Sequence, residues 1–262
     1  MENRITQLFA QKRQNILNIY FTAGFPQLND TQTILLSLQE AGADLIEIGI
    51  PYSDPVADGE TIQKSSQKAL ENGMTLKSLF EQLKSMREDI TIPVLLMGYI
   101  NPVLQYGIEN FCKKCQEIGI DGLILPDIPL EVYQEEFKPI FEKYELLNIF
   151  LITPQTSDNR IRQIDALSRG FIYMVSSASV TGAKSGISHE QEKYFERIDA
   201  LNLENPRLIG FGISDHKTFV QACQSAQGAI IGSAFIKHLE TTNSQNMKDS
   251  IREFVKNIKK NL

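Results

Sequence analysis

The chain has 262 residues, of which 42% are hydrophobic and 22% charged, and its 26 Lys and Arg stand against 32 Asp and Glu. This composition is ordinary for a globular protein with a sizeable core. The net charge of −6 and the scattered basic residues argue against nucleic acid or an anionic membrane as a partner. No apolar run approaches the roughly 20 residues of a membrane span, and the charged N-terminus lacks a signal-peptide core, so we expect a cytoplasmic protein.

Apolar runs of strand length alternate with helical patterns along the chain, after a short amphipathic segment at the N-terminus. Helical periodicity is found, for example, in residues 31–42, 75–88, 129–144 and 215–226. The eight predicted strands are residues 16–22, 44–50, 92–98, 121–126, 148–153, 170–175, 206–212 and 228–233.

Nearly continuous apolar strands, each followed by a helix, indicate parallel strands covered by helices. Eight such units in about 250 residues favour an α/β fold of the (β/α)8 TIM barrel type. An open doubly wound sheet is the alternative, but the first strand is not followed by the G-x-G-x-x-G turn of a dinucleotide fold. No linker is visible, so we expect a single domain over 1–262. In a barrel the functional site should lie in the loops after the strands.

Glu47 is an acidic residue in the apolar run DLIEIGI. Side chains alternate along a strand, so Leu45, Glu47 and Gly49 share the face that would look into the barrel. Burial would raise the pKa of this carboxyl group, which suits a general acid/base near neutral pH. The alternative is a glutamate satisfied by a buried ion pair.

Asp58 follows Glu47 by eleven residues, beyond a loop punctuated by two prolines. An Asp-Gly pair before a helical stretch is a common N-cap, and this structural role is the stronger interpretation of Asp58 alone. In one loop system with Glu47, it could instead supply a second carboxylate over the same pocket. Asp54 is interpreted as a loop or surface residue.

Small residues at the last strand ends predict a phosphate site. The motif GFG, residues 210–212, closes the seventh strand, and GS, residues 232–233, closes the eighth before a helix. Glycines allow a ligand to approach the backbone, and helix N-termini present free N–H groups to anions. The loop of residues 176–190 is small and polar, and is predicted to be a lid with contacts from Thr181 and Gly182.

The residues that several other reaction mechanisms require are missing from the expected positions. No predicted strand ends in lysine, so a Schiff-base mechanism has no nucleophile. The three histidines are not paired at ligand spacing, which makes a metal-assisted mechanism unexpected. Cys112 and Cys115 of the CKKC motif share a helical face with Phe111 and Ile118, which predicts core packing. Carboxylate acid/base chemistry on a phosphorylated substrate remains.

The stretch EIGIPYSDPVADGETIQ, residues 47–63, closely resembles the signature of the tryptophan synthase α-subunit family. The resemblance extends over nearly the whole chain. It includes the segments ITQLFAQ, YFTAGFP, AGADLIEIG, GYINPV, LPDIP, YMVSSASVTG, GFGIS and IGSAF. It implies a TIM barrel with an extra N-terminal helix that cleaves indole-3-glycerol phosphate to indole and glyceraldehyde 3-phosphate, a retro-aldol reaction.

The resemblance also implies residue roles. Glu47 would be the general acid/base, and Asp58 would hold the indole N–H as positive charge develops. Substrate-binding positions would be Tyr20, Tyr99, Tyr173, Thr181, Gly182, Phe211, Gly212, Gly232 and Ser233. Positions facing a β-subunit in an α2β2 complex would include Asp54, Pro55 and Asn101. No cofactor is expected in this chain, and pyridoxal phosphate is expected in the β-subunit, which receives the indole.

Two departures from the family pattern stand near the site. Phe25 replaces the Asp of most members, and Ser177 and Ser179 stand where Arg and Gly are expected, within the predicted lid. Two alternative functions remain open: a free-standing lyase that releases indole, and a subunit whose main role is to activate its β partner.

Overall fold

Parallel strands dominate the computed structural model, which describes residues 3–176, 188–210 and 212–260. The strands are β1 (Ile16–Thr22), β2 (Leu45–Gly49), β3 (Val94–Met97), β4 (Gly122–Ile124), β5 (Leu147–Asn148), β6 (Phe150–Ile152), β7 (Ile172–Val175), β8 (Arg207–Gly210) and β9 (Gly228–Ile231). Every pairing between neighbouring strands is parallel.

The sheet closes on itself. Its order is β5-β4-β3-β2-β1-β9-β8-β7-β6, so β5 and β6 form the two ends. Only Ile149 separates these two strands, and its N–H donates to the carbonyl of Leu123 in β4 at 2.9 Å. β5 and β6 are therefore the two halves of one interrupted strand. This arrangement confirms the predicted eight-stranded TIM barrel.

Helices follow the strands and cover the barrel. They are α1 (Arg4–Gln11), α2 (Thr31–Ala41), α3 (Glu60–Glu71), α4 (Leu76–Gln82), α5 (Met86–Asp89), α6 (Ile100–Tyr106), α7 (Ile108–Ile118), α8 (Leu130–Val132), α9 (Lys138–Lys143), α10 (Asp158–Leu167), α11 (His189–Ala200), α12 (His216–Ser225), α13 (Ser233–Thr241) and α14 (Met247–Ile258). A π-helical turn at Tyr133–Phe137 joins α8 to α9, and a 3-10 turn at Ser244–Asn246 precedes α14.

The extra N-terminal helix α1 covers the end of the barrel where the strands begin. Its Ile5 is fully buried. A Cβ atom at Gly122 or Gly170 would lie 3.3 or 3.2 Å from the Ile5 side chain, so these glycines leave room for it. The side-chain amide of Asn3, which caps α1, donates to the carbonyl of Asp121 at 2.8 Å. One mouth of the barrel is thus occupied, which leaves the opposite end for a ligand.

The strand register fixes which side chains share the interior. Tyr20 of β1, Glu47 of β2 and Leu95 of β3 are register neighbours and point to the same face. Two residues before Tyr20, toward the N-terminus of β1, Asn18 lies on the same face beside Leu45. Glu47 is fully buried, so the predicted inward orientation of this residue is confirmed.

The CKKC motif lies on α7 and packs into the core. Cys112 and Cys115 are fully buried together with Phe111, and Ile118 completes the buried face. Burial raises the pKa of the Cys112 thiol to about 12, which keeps it protonated and unreactive at neutral pH. The core-packing prediction is confirmed.

Candidate active site

Glu47 occupies the centre of β2 with no exposed surface. Its Oε2 accepts a hydrogen bond from the side-chain amide of Asn18 at 2.9 Å, and its Oε1 has no hydrogen-bond partner in the described part of the chain. Burial raises the pKa of Glu47 from 4.5 to about 8; the Asn18 bond lowers it, and the nearby charge of Asp58 raises it. Glu47 is therefore mainly neutral at pH 7 and has a proton to give.

Asp58 lies in the loop between β2 and α3 and is almost fully buried. Its Oδ2 accepts a hydrogen bond from the Tyr99 hydroxyl at 2.9 Å, and that hydroxyl in turn accepts from the Ala57 N–H at 2.9 Å. Burial raises the pKa of Asp58 to about 6, while the Tyr99 bond lowers it. The N-cap interpretation is wrong, because Gly59 holds the N-cap position of α3 and no side chain caps that helix.

Two tyrosines complete the walls around the carboxyl groups. A Cβ atom at Gly49 would lie 2.1 Å from the Tyr20 hydroxyl oxygen, and one at Gly210 would lie 2.3 Å from that of Tyr173. Only glycine at these two strand ends lets the rings lie across them. Burial raises the pKa of both tyrosines, and the nearby carboxyl groups of Asp58 and Glu47 raise it further, so both hydroxyls stay protonated.

The predicted phosphate positions lie at the ends of β8 and β9. Gly232 is the N-cap of α13, and Ser233, which is exposed, is the first residue of that helix. Gly212 follows β8 with φ +78°, a left-handed conformation that favours glycine, and a Cβ atom there would meet open space. Free N–H groups at the start of α13 thus face the same end of the barrel as Glu47.

Three of the predicted substrate positions lie outside the described residues, namely Thr181, Gly182 and Phe211. The predicted lid therefore stays a prediction, as do the effects of Ser177 and Ser179. Of the other predicted substrate positions, Tyr99 bonds to Asp58, and Tyr20 and Tyr173 lie within electrostatic reach of Glu47 and Asp58. Gly232 lies against Tyr20.

The residues predicted to face a partner lie on two neighbouring segments. Asp54 is exposed and Pro55 is half-buried in the loop after β2, and Asn101 is exposed in α6, after β3. The side-chain amide of Asn101 donates to the hydroxyl of Tyr52 at 3.2 Å, which ties the two segments together. Both follow strand C-termini, so they border the same end of the barrel as the carboxyl groups.

Sequence reasoning did not select Asn18 as a site residue. Its position in the run ILNIYFT is two residues before Tyr20, so strand alternation places both on the inward face. An amide inside an apolar strand, aligned with an inward glutamate on the next strand, was the signal that could have identified it.

The raised pKa of Glu47 predicts a pH-dependent stability. The folded chain holds this proton more tightly than the unfolded chain, so the free energy of unfolding falls as pH rises from about 4.5 to about 8. The shift corresponds to an upper bound of about 5 kcal/mol, at roughly 1.4 kcal/mol per pH unit. We expect Glu47→Gln to be more stable than the wild type at pH 9 and little different at pH 5, measured by urea unfolding.

The exposed α14 variant Glu253→Gln is the control for that experiment, since it removes a carboxyl group from the surface. It should leave the pH dependence of unfolding close to that of the wild type. An equal stability difference between Glu47→Gln and the wild type at both pH values would contradict the burial effect.

No group of three His, Cys, Asp or Glu side chains in residues 3–176, 188–210 and 212–260 is arranged to hold a metal ion. Over the same residues, no helix has the length and apolar character needed to cross a membrane.

Comparison with known proteins identifies relatives over most of the chain. The model of the family described as Tryptophan synthase alpha chain matches residues 5–262. The tryptophan synthase alpha chain of Flavobacterium johnsoniae is 62% identical over 251 residues, which cover 96% of this chain and 99% of the relative. That of Phocaeicola vulgatus is 51% identical over 257 residues, covering 97% of this chain and 100% of the relative.

Solved structures show the same fold. The tryptophan synthase A-subunit of Pyrococcus furiosus superposes with a TM-score of 0.86 at 33% identity, covering 94% of this chain and 98% of that chain. A structure of Mycobacterium tuberculosis tryptophan synthase gives a TM-score of 0.87 at 28% identity, covering 98% and 97%. Because the family model matches residues 5–262, nearly the whole chain, the chain belongs to the tryptophan synthase alpha chain family.

Proposed function

We propose that this chain cleaves indole-3-glycerol phosphate to indole and glyceraldehyde 3-phosphate by a retro-aldol reaction, and that the indole passes to a tryptophan synthase β-subunit. The observation that carries the proposal is the pair of buried carboxyl groups whose pKa values differ, about 8 for Glu47 and about 6 for Asp58. Near pH 7 one is a proton donor and the other a carboxylate, the division of labour that such cleavage needs.

Glu47 supplies the proton transfers in this proposal. Its neutral carboxyl group protonates the indole ring carbon that bears the glycerol chain, and the positive charge moves to the ring nitrogen. The carboxylate then takes the proton of the adjacent glycerol hydroxyl, the carbon–carbon bond breaks, and its electrons return to the ring. One proton is given and one is recovered. The indole ring itself accepts the electrons, so we propose that the chain uses no cofactor of its own.

Asp58 stabilises the charge that develops on the ring nitrogen. Tyr99 donates to its Oδ2, so we assign Oδ1 as the acceptor of the indole N–H. A carboxylate fixed in a buried loop acts through a low local dielectric, so its attraction for the protonated ring is stronger than in water. Tyr20 and Tyr173 hold the ring between them and exclude water.

The N-terminus of α13 binds the substrate phosphate in this proposal. A leucine at Gly232 would place its side chain over the first N–H groups of the helix, whereas its Cβ atom alone meets Tyr20 at an ordinary 3.5 Å. We expect Gly232→Leu to raise KM about tenfold or more with little change in kcat.

Comparison with the dephosphorylated substrate, indole glycerol, is the control for that prediction. The variant and the wild type should cleave indole glycerol with similar kcat/KM. An unchanged KM for the phosphorylated substrate would count against this phosphate site.

The β-subunit is proposed to dock on the loop after β2 and on α6. Val56 of that loop is 84% exposed and Leu104 of α6 is 52% exposed, and large apolar side chains this open to water are typical of contact surfaces. They flank the segments of Asp54, Pro55 and Asn101. A partner bound here would lie over the exit from the site.

Substitution of both apolar side chains tests this surface. We expect Val56→Asp and Leu104→Asp each to weaken binding to the β-subunit by about tenfold or more, because the introduced charge loses its hydration at the interface. Isothermal titration calorimetry measures the Kd. Lys256→Asp, at an exposed position on α14, is the control and should bind normally. Normal Kd values for Val56→Asp and Leu104→Asp would show that the β-subunit does not bind to this face.

Indole release from indole-3-glycerol phosphate by the purified chain, with and without a β-subunit, tests the function. We expect equal amounts of indole and glyceraldehyde 3-phosphate, with a large acceleration by the β-subunit. Full activity of the chain alone would favour the free-standing lyase. Activation of the β-subunit without cleavage would favour the regulatory subunit.

The fold gives both carboxyl groups to one barrel, whose strands run from residue 16 to residue 231. This supports the proposal that the chain works as a single domain.

A further inference from the structure

We propose that Asn18 is a positioning residue for Glu47: its side-chain amide holds Oε2 and thereby reserves Oε1 as the oxygen that exchanges a proton with the substrate. This inference rests on the proposed function of Glu47 as the general acid/base. Asn18 lies too deep in the barrel to be a catalytic residue. It is two residues nearer the N-terminus of β1 than Tyr20, the register neighbour of Glu47.

The surroundings of Asn18 give its amide little else to bind. The residue is fully buried, and its register neighbours are Leu45 on β2 and Ile230 on β9. Its Nδ2 donates to Glu47 Oε2 at 2.9 Å, and its Oδ1 has no hydrogen-bond partner in the described part of the chain. An apolar side chain of similar volume would leave no such buried oxygen unpaired, so packing alone does not account for an asparagine at this position.

The bond also distinguishes the two oxygens of the carboxyl group. An amide N–H is a donor, and it bonds best to the carbonyl oxygen of a neutral carboxyl group. With Oε2 in that role, the acidic proton of Glu47 resides on Oε1. Oε1 has no partner among the described residues, so this proton is free to transfer to a ligand.

The same bond opposes the other influences on the charge of Glu47. Among the described residues, the titratable groups that interact with Glu47 are Tyr20 on β1, Asp58 in the loop after β2 and Tyr173 on β7. Its register neighbour on β3 is the apolar Leu95. Burial and Asp58 favour neutral Glu47, whereas the amide favours the carboxylate. Asn18 thus keeps the ionised form accessible, which the second proton transfer requires.

The test replaces the amide with an apolar side chain of similar size, Asn18→Leu, and follows the pH dependence of kcat. Activity falls on the alkaline side as Glu47 loses its proton. Without the amide this limb should move to higher pH by roughly one to two units, because the ionised form loses a hydrogen bond to a charged group. We expect kcat at pH 7 to fall about tenfold, and KM to change little since Asn18 does not touch the substrate.

Asn148→Leu is the matched control. Asn148 is another buried asparagine with an unpaired Oδ1, but its register partner is Leu123, on the face of the sheet away from Glu47. This variant should leave the alkaline limb in place. If Asn18→Leu does not fold, Asn18→Ser serves instead, because a serine hydroxyl at this position is too short to replace the bond and the same shift is expected.

Two results would overturn the proposal. An alkaline limb that does not move in the Asn18 variants, relative to the wild type and Asn148→Leu, would show that the amide does not act on Glu47. A move to lower pH would show that the amide is turned over and accepts the proton of neutral Glu47. An infrared titration of the Glu47 carboxyl group without substrate gives the same comparison, so failure of the proposed reaction and failure of the Asn18 contact are distinguishable.

Discussion

Glu47→Gln is expected to lower kcat for indole release by about a thousandfold, within the range of 10²- to 10⁴-fold that general acid/base groups contribute. The substitution keeps the shape of the side chain and an oxygen for the Asn18 amide, but it removes the transferable proton. The neighbouring groups cannot replace it. Burial keeps the Tyr20 and Tyr173 hydroxyls protonated, and Asp58 is mainly ionised at neutral pH.

Two control measurements test whether the loss of activity comes from Glu47 itself. Glu253→Gln, on the exposed surface of α14, should retain full activity. Binding of the Glu47→Gln variant to the β-subunit should be normal, because Glu47 has no exposed surface. Turnover by Glu47→Gln close to the wild-type rate would mean that another group carries the proton.

Asp58→Asn is expected to lower kcat/KM by about a hundredfold, the scale of a single electrostatic contact to developing charge. Asparagine can still accept the Tyr99 hydroxyl bond, so the loop should keep its geometry. The loss comes from the missing negative charge beside the protonated indole ring. Steady-state kinetics of indole release at pH 7 measures it.

Tyr99→Phe removes the hydrogen bond between Tyr99 and Asp58 but leaves the carboxyl group of Asp58 in place. This hydrogen bond lowers the pKa of Asp58, so without it the acid limb of the pH profile should move to higher pH while much of the activity remains.

The Asp58→Asn protein should unfold at nearly the wild-type temperature. A loss of activity explained wholly by unfolding of Asp58→Asn would assign this residue a purely structural role.

Strand alternation was enough to predict the inward orientation of Glu47. The run DLIEIGI is apolar apart from its acidic residues, so the period of two leaves one carboxyl group inside, and the register with Tyr20 and Leu95 agrees. The eight strands were predicted for the same reason, although most are shorter than their apolar runs. The break at Ile149 was not predicted, because a single asparagine at the start of the run NIFLIT, Asn148, does not distinguish an interrupted strand from a continuous one.

The surroundings of Asp58 were not predictable from local pattern. Its partner Tyr99 lies 41 residues away, after the next strand of the barrel, and a local reading of Asp-Gly favoured a helix cap. Only the family resemblance indicated a site role. Asn18 was missed for a related reason: its contact joins two strands, 29 residues apart, and depends on their register.

The central claim is that Glu47 is neutral at pH 7 because the barrel buries it, and that this proton performs the cleavage. Infrared titration of the carboxyl stretch, taken as the difference between the wild type and Glu47→Gln, measures this state directly. The account predicts a Glu47 carboxyl band that persists at pH 7 and disappears with a pKa near 8. A carboxyl group already ionised by pH 6, with a pKa near 4.5, would contradict it.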